Sequence, residues 1–284
     1  MNKQAILIIA LLYTKIVLEN KKVNFMKIDI LTLFPEMFNG PFDESIVKRT
    51  INKNLVKINI HNLRKWTKDK HQSVDDRPYG GGTGMIMMVE PIYKALEALK
   101  CKIPASGSDC STRLIQSCST SDPLAGRQNS KIILLSPQGK VFNQKKAFQL
   151  SKLNHLILIC GHYEGVDERV SQYLVDEEIS IGDYILTGGE LPTMVLVDSI
   201  IRLIPDALKK SEAIQNESFS LNSKFSILNS KLLEYPQYTR PDNFKGWKVP
   251  KILLSGNHKQ IEEWRKKQAV AITKKRRPDL LNNF

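Results

Sequence analysis

The sequence predicts an α/β fold with a parallel sheet, followed by a small helical C-terminal unit. Three observations carry that prediction. From Met26 onward short apolar runs alternate with amphipathic segments. Two glycine-punctuated turns, 161–169 and 181–192, each follow an apolar run and carry acidic residues. Beyond Tyr235 the chain changes character, with Trp247, Trp264 and scattered apolar positions set among many Lys and Arg residues. Strands that alternate with helices call for a parallel sheet with helices on its faces.

Taken in order, Ile28 to Phe34 reads as a strand, Phe42 to Ile51 as a helix and Leu55 to Ile60 as a strand. A long polar, glycine-rich loop runs through Tyr79-Gly80-Gly81-Gly82-Thr83-Gly84 to a helix from Pro91 to Leu99, with its proline in the first turn. Lys131 to Leu135 and His155 to Cys160 read as buried strands, with Gln144 to Leu150 helical between them. Glu190 to Ile204 follows as a helix that places Met194, Val197, Ile201 and Ile204 on one stripe. Turns such as 161–169 and 181–192, read as the ends of adjacent strands, let backbone groups and carboxylates converge on a polar small molecule.

Two stretches interrupt this rhythm. Residues 101–130 are rich in Ser, Gly, Pro and Asp and read as a disordered insertion in a surface loop. Leu221-Asn222-Ser223-Lys224-Phe225 is nearly repeated as Leu228-Asn229-Ser230-Lys231-Leu232, a local duplication inside a Ser- and Asn-rich linker spanning 209–234. The expected layout is therefore an extension over 1–25, an α/β domain over 26–208, the linker, and a small helical C-terminal domain over 235–284. The apolar run Ala5 to Tyr13 is too short to span a membrane, is closed by Lys15 and lacks a small-residue cleavage site, so the folded unit is expected to start at Met26.

The chain of 284 residues holds 42 Lys and Arg against 29 Asp and Glu, a formal charge of +13. That excess favours a polyanionic partner through phosphate neutralisation and counterion release, although charge alone also fits a merely basic cytosolic protein. Cys101, Cys110, Cys118 and Cys160 lack Cys-x-x-Cys spacing, so no structural metal is expected and reduced thiols in a cytoplasm are the default. The glycine run 80–84 fails both phosphate-loop tests. Met85 stands where a Walker loop needs lysine, and where the dinucleotide fingerprint needs its third glycine. Whether that run touches a substrate or only turns the chain stays open on spacing. By the same measure Arg202 fits a face residue with its head in water, and Glu217 a lone linker carboxylate.

Eight ordered motifs then carry a resemblance: Leu33-Phe34-Pro35-Glu36-Met37-Phe38, Val74 to Gly82, Leu135-Ser136-Pro137-Gln138-Gly139, Cys160 to Arg169, Ile181-Gly182-Asp183-Tyr184, Gly188 to Pro192, Tyr238-Thr239-Arg240-Pro241 and Leu254 to His258. Together they resemble the TrmD family of bacterial tRNA (guanine-N1)-methyltransferases. The resemblance runs from Met26 to the C-terminus apart from the two insertions. It implies a SPOUT-type α/β domain with a deep trefoil knot that binds S-adenosylmethionine, and a cytoplasmic homodimer whose active site uses both subunits. It also implies methylation of N1 of guanosine 37 in tRNA when a guanosine precedes it, and activity associated with Mg2+.

Carried over residue by residue, the resemblance makes Leu134, Leu135, Ser136 and Pro137, then Gly161, Tyr163 and Glu164, then Ile181, Gly182, Tyr184, Leu186, Gly188 and Gly189 the cofactor cradle, with Glu164 accepting from ribose hydroxyls. It makes Arg202 the group on guanine O6, helped by Asp198, and Glu217 the general base. Two departures stand out. Glu217 replaces the family's aspartate with one extra methylene, and Leu134 stands where relatives often carry tyrosine. The first leaves a rival reading, a catalytically impaired relative that holds tRNA or cofactor without transferring methyl. The linker is expected to be disordered until RNA orders it.

Overall fold

The computed structural model describes residues 25–99, 129–209, 214, 217–220 and 232–281. The chain divides into two compact units after Ala207. The extension before Phe25, nearly all of the 101–130 insertion and the duplicated segment up to Lys231 lie outside the described residues.

The first unit is built on five parallel strands in the order β2-β1-β6-β5-β7. These are β1 Met26–Thr32, β2 Val56–Asn62, β5 Ser130–Val141, β6 His155–Cys160 and β7 Glu177–Ser180. A two-residue hairpin, β3 Asp75–Asp76 with β4 Ile86–Met87, stands apart from that sheet. The first unit's helices are α1 Ser45–Asn52, α2 Val89–Ala98, α3 Gln144–Leu150, α4 Glu168–Tyr173 and α5 Glu190–Ile201. Strands inside a parallel sheet are covered on both faces and read as unbroken apolar runs. The central strand β6, His-Leu-Ile-Leu-Ile-Cys, is buried from Leu156 to Cys160. The edge strand β2 alternates instead, Val-Lys-Ile-Asn-Ile-His-Asn, and beyond Val56 is only partly buried or exposed.

Because side chains alternate across a strand, the two sheet faces nucleate two cores. Ile28, Ile30, Leu156, Leu158, Ile133 and Leu135 pack with Val47 of α1, Leu150 of α3 and Leu196, Val197, Ile200 and Ile201 of α5. On the opposite face Leu31, Ile157, Ile159, Ile132 and Leu134 pack with Ile92, Ala95 and Leu96 of α2 and with Val170 of α4. Burying one such Leu or Ile contributes roughly 1.5–3 kcal/mol relative to leaving it in water.

Several sequence expectations change here. β5 does not stop at Leu135 but continues to Val141, with its register against β7 jumping between Leu135 and Lys140. Residues 136–139 are thrown out of the ladder by that jump. The two glycine turns do not follow adjacent strands, because β5 lies between β6 and β7. α5 ends at Ile201 rather than Ile204, and its buried side is Thr193, Leu196, Val197, Ile200 and Ile201, with Met194 only partly covered. β7, Glu-Glu-Ile-Ser, is too short and polar for hydrophobic patterning to announce.

The second unit is not helical throughout. Besides α6, His258–Arg276, it holds a hairpin of β8 Asn243–Phe244 and β9 Trp247–Lys248. α6 is capped by the Asn257 side chain, which accepts from the backbone N–H of Gln260. Buried Thr273 on α6 receives the backbone N–H of Leu233 at 2.9 Å. Among the described residues no helix is long and apolar enough to cross a membrane.

One charge is buried inside the sheet. Asp29 on β1 is fully inaccessible and accepts from His155 Nε2 at 2.6 Å, His61 Nε2 at 2.8 Å and Asn59 Nδ2 at 2.8 Å, with Lys27 Nζ 2.6 Å away. Burial alone pushes its carboxyl upward, and the donors from His155, His61, Lys27 and Asn59 together reverse this, holding it far below the usual carboxylate range. Breaking a buried, paired charge costs about 3–5 kcal/mol. Asp29→Ala is therefore expected to lower the urea-unfolding free energy by about that amount. The folded-state value is depressed, so the stabilisation is complete above the unfolded carboxyl value of about 3.9 and is lost as pH falls below it. Asp29→Asn should lack this acid limb of the stability curve.

Candidate active site

The C-terminal ends of β5, β6 and β7 open into one cleft of about 1390 Å³. Ligands of open parallel sheets bind at that edge, outside the carboxyl ends of the strands. All thirteen residues expected to form the cradle line it. Leu134 and Leu135 end the regular part of β5, and Ser136 and Pro137 form its bulge, braced by the Gln138 N–H on Ser136 Oγ at 3.1 Å. Gly161, Tyr163 and Glu164 follow β6, while Ile181, Gly182, Tyr184, Leu186, Gly188 and Gly189 follow β7.

The turn after β7 is drawn back across β5 to the end of β6. The Gly189 N–H donates to the Gly161 carbonyl at 2.7 Å. A Cβ on Gly189 would stand 2.7 Å from the Gly161 nitrogen and 2.8 Å from the Cys160 Cα, so only glycine permits this approach.

The glycine run 80–84, left open by spacing, does not line the cleft itself but joins two segments that do, Asp76–Tyr79 and Ile86–Glu90. β3 and β4 carry it as a flap whose backbone is tied to the loop after β6. The Glu164 N–H donates to Met85 O at 3.1 Å, Met87 N–H to Gly165 O at 2.9 Å and Asp167 N–H to Met87 O at 3.0 Å. Gly84, at φ +82, lies against the Glu164 side chain where a Cβ would collide with it. Asp76, Arg77, Pro78 and Tyr79 line the cleft from the flap, and Tyr79 is fully exposed. The glycine cluster was the sequence signal for these four residues, but spacing carried no information about what the flap covers.

Tyr163 occupies a positive φ of +60, uncommon for a bulky residue. Burial, then the neighbouring Asp75 carboxylate, pushes its phenol above the ordinary tyrosine value. Its ring stands edge-on to His162, with centroids 5.1 Å apart, and Phe34 contacts the same imidazole at 4.7 Å. Asp167 caps α4, accepting from Arg169 N–H at 2.9 Å and forming an ion pair with the Arg169 guanidinium at 2.6 Å. That pairing with Arg169 holds Asp167 below the usual carboxylate range.

Beneath the cleft floor lies buried polar chemistry that sequence reading missed. Glu190, only 1% exposed, accepts from Thr32 Oγ1 at 2.7 Å through one oxygen. Its other oxygen has no hydrogen-bond partner and stands 3.9 Å from His162 Nδ1, itself without one. Cys160 is fully buried with Sγ 3.2 Å from Thr193 Oγ1, and burial, then the Glu190 charge, pushes its thiol far above the usual range. An apolar-looking strand end and a helix-opening glutamate gave no hint of that cluster.

The two residues expected to do the chemistry belong to different units. Arg202 caps the C-terminal end of α5 and does not line the cleft. Twelve helical residues at 1.5 Å each put it about 18 Å along α5 from the Gly188–Gly189 turn. Glu217 belongs to the second unit. Of the 209–234 linker, most lies outside the described residues, and the described neighbours of Glu217 are hydrogen-bonded. Ser220 N–H donates to Glu217 O at 3.2 Å, Phe219 N–H to Leu232 O at 3.1 Å and Glu234 N–H to Ser218 Oγ at 2.9 Å. The Arg277 guanidinium lies 6.0 Å from the Phe219 ring centre. Among the described residues no group of three or more His, Cys, Asp or Glu side chains is placed to hold a metal ion.

The profile of the family described as tRNA (Guanine-1)-methyltransferase TrmD matches residues 26–283. The chain belongs to that family. A tRNA (guanine-N(1)-)-methyltransferase of Dictyoglomus turgidum is 51% identical over 256 residues, covering 90% of each chain. A protein of the same name from Carboxydothermus hydrogenoformans is 52% identical, covering 90% of this chain and 87% of its own. A third, from Dehalococcoides mccartyi, is 48% identical over 91% of this chain and 92% of its own. The family match begins at Met26, the first residue of β1.

The contact between Gly189 and Gly161 generates a direct expectation. Gly189→Ala should lower thermal stability by an amount typical of overpacking, about 1–3 kcal/mol. Gly84→Ala, where the Cβ meets only a movable glutamate side chain, should cost about 1 kcal/mol through its positive φ. Equal losses in paired thermal melts would mean that the turn can shift off β6.

Proposed function

We propose that this chain transfers the methyl group of S-adenosylmethionine to N1 of guanosine 37 in tRNA, next to the anticodon and after a guanosine. The observation that carries the reading is the single cleft at the ends of β5, β6 and β7, in a chain half identical to proteins named for tRNA guanine-N1 methylation. The cleft suits the cofactor. Its wall is backbone at Leu134, Leu135, Gly161, Gly188 and Gly189, which would hold the adenine, and the exposed Leu186 side chain would flank it. Glu164 has its carboxylate at the flap to accept from ribose hydroxyls.

When bound, S-adenosylmethionine supplies a methyl group activated by a positively charged sulfur. The residues of this chain deal with the other reactant. N1 of guanine is weakly acidic, so the Glu217 carboxylate accepts its proton as the N1–CH3 bond forms and the sulfur–methyl bond breaks. The Arg202 guanidinium holds the negative charge that develops on O6. Asp198, one turn before Arg202, helps to keep that side chain in place. The family's Mg2+ finds no cluster to hold it among the described residues, and no step here is routed through it.

The reading includes a cytoplasmic homodimer with an active site built from both subunits. α5 supports it. The helix is apolar around most of its circumference, yet Leu191 and Val195 are 48% and 46% exposed, beside Ile185 at 79%. A helix hydrophobic all round calls for a cover on its outer side. The distance of Arg202 from its own cleft argues the same way, since a second copy can bring its arginine where this one does not reach. The reading also includes the trefoil knot. From β6 the chain crosses one sheet face as α4, pairs as β7, returns over β5 at Gly189 and enters the other face as α5. The bulge at 136–139 arches over the same edge, with Gly139 packed on the β7 backbone, and supports a loop through which the returning segment threads.

Labelled methyl should pass from S-adenosylmethionine to a tRNA transcript with guanosines at 36 and 37, and not to one with adenosine at 37. Glu217→Gln and Arg202→Ala should each lower kcat by about two orders of magnitude while calorimetry shows unchanged cofactor binding. Cofactor binding without any transfer by the unaltered chain would favour the impaired relative and assign the defect to the extra methylene of Glu217. For the dimer, Val195→Glu should convert the sedimenting species to a monomer and abolish transfer.

A further inference from the structure

The second unit holds a surface that the methyl-transfer chemistry leaves unused. The turn between β8 and β9 is Lys245-Gly246, with φ of +52 and +91, the paired positive φ that suits a twisted two-residue hairpin. That tight turn places Phe244 and Trp247 side by side, ring centres 5.9 Å apart and tilted by 58°. Neither ring is covered: Trp247 is 74% exposed, Phe244 51% and nearby Tyr238 50%. Together with Arg240 and Lys248 they line a pocket of about 420 Å³. Lys245 Nζ sits 5.6 Å from the Phe244 ring centre.

The charge around the pocket selects its occupant. Arg240 and Lys248 line it and Lys245 lies against the Phe244 ring, the segment 238–251 holds four cations against one acid, Asp242, and residues 235–284 carry twelve Lys and Arg against four Asp and Glu. Interfaces between proteins are depleted of lysine where aromatic residues gather. Exposed aromatic faces interleaved with cations are instead the arrangement that holds unpaired nucleotides, with bases stacked on the rings and phosphates on the charges. We propose that the 238–249 hairpin is a stacking platform for one unpaired nucleobase of the tRNA other than the guanine that is methylated, with Arg240, Lys245 and Lys248 on the flanking phosphates. The proposal rests on the tRNA methyltransferase reading and adds a second contact to it.

The test uses the full chain and the transcript with guanosines at 36 and 37, with Kd measured by filter retention at several salt concentrations. Trp247→Ala is expected to weaken binding about tenfold without changing the slope of log Kd against log salt, because stacking releases no counterions. Trp247→Phe should restore most of that loss. Lys248→Ala should reduce the salt slope by about 1. Unchanged S-adenosylmethionine affinity and kcat in Trp247→Ala, with a raised KM for tRNA, would separate this effect from misfolding. Binding by Trp247→Ala as tight as by the unaltered chain would overturn the proposal. So would loss of the dimer in sedimentation, which would make the patch a contact between copies. Failure of the unaltered chain to bind the transcript would overturn the tRNA reading itself.

Discussion

The architecture of the first unit depends on one backbone contact, the Gly189 N–H on the Gly161 carbonyl. β6 and β7 are separated by β5, so the loops that follow them would otherwise open a strand's width apart. Closing that gap requires the chain to leave β7, pass over the end of β5 and lie against Cys160 and Gly161 with no side chain between. From there it can only descend on the far face of the sheet. The position of α5, the depth of the cleft and the joining of three strand ends into one wall all follow from two glycines meeting at 2.7 Å.

Directly below that contact the interior is polar, which a hydrophobic account of the core would not anticipate. Glu190 opens α5, where the positive end of the helix favours a carboxylate, and Thr32 satisfies one of its oxygens. The second oxygen and His162 Nδ1 face each other at a distance too long for a hydrogen bond. In a medium of low dielectric such a pair is sensitive to small displacements of the backbone that carries it. His162 follows β6 and Glu190 follows the Gly188–Gly189 turn, so the pair bridges the two segments that wall the cleft. The Asp29 cluster differs: its carboxylate is answered by four neighbours, and it braces β1 against β2 and β6.

Much of this was legible in the sequence, for identifiable reasons. β6 is apolar from Leu156 to Cys160 and reads directly as a covered strand, while β1 was found from Ile28, Ile30 and Leu31 despite the Lys27 and Asp29 set among them. The helices with one apolar side, such as α1 and α2, announced themselves by periodicity, within two or three residues at their ends. The thirteen positions expected to hold the cofactor came from the family resemblance, which no periodicity would have supplied, and all of them line the cleft. β7 was missed because four residues with two glutamates carry too little apolar signal, and the continuation of β5 because Ser-Pro-Gln-Gly reads as a turn. The β8–β9 hairpin escaped because two-residue strands leave no alternation to detect. The outer side of α5 was misread in a more informative way. Its stripe was sought on one side, whereas the helix is apolar on nearly all of them.

The order of the sheet also bears on how fast the molecule can assemble. β1 finds its second neighbour only at His155–Cys160, and β5, the partner that completes β6, must itself wait for Glu177–Ser180. Every pairing in the five-stranded sheet is parallel and joins segments distant in sequence, the pattern in which loop closure comes before any compensating contact. A chain leaving the ribosome would carry β1 and β2 as an unfinished edge until His155–Cys160 had emerged. The cleft walls are therefore complete only once Glu177–Ser180 and the turn beyond it have been made, and the waiting falls on the nascent chain.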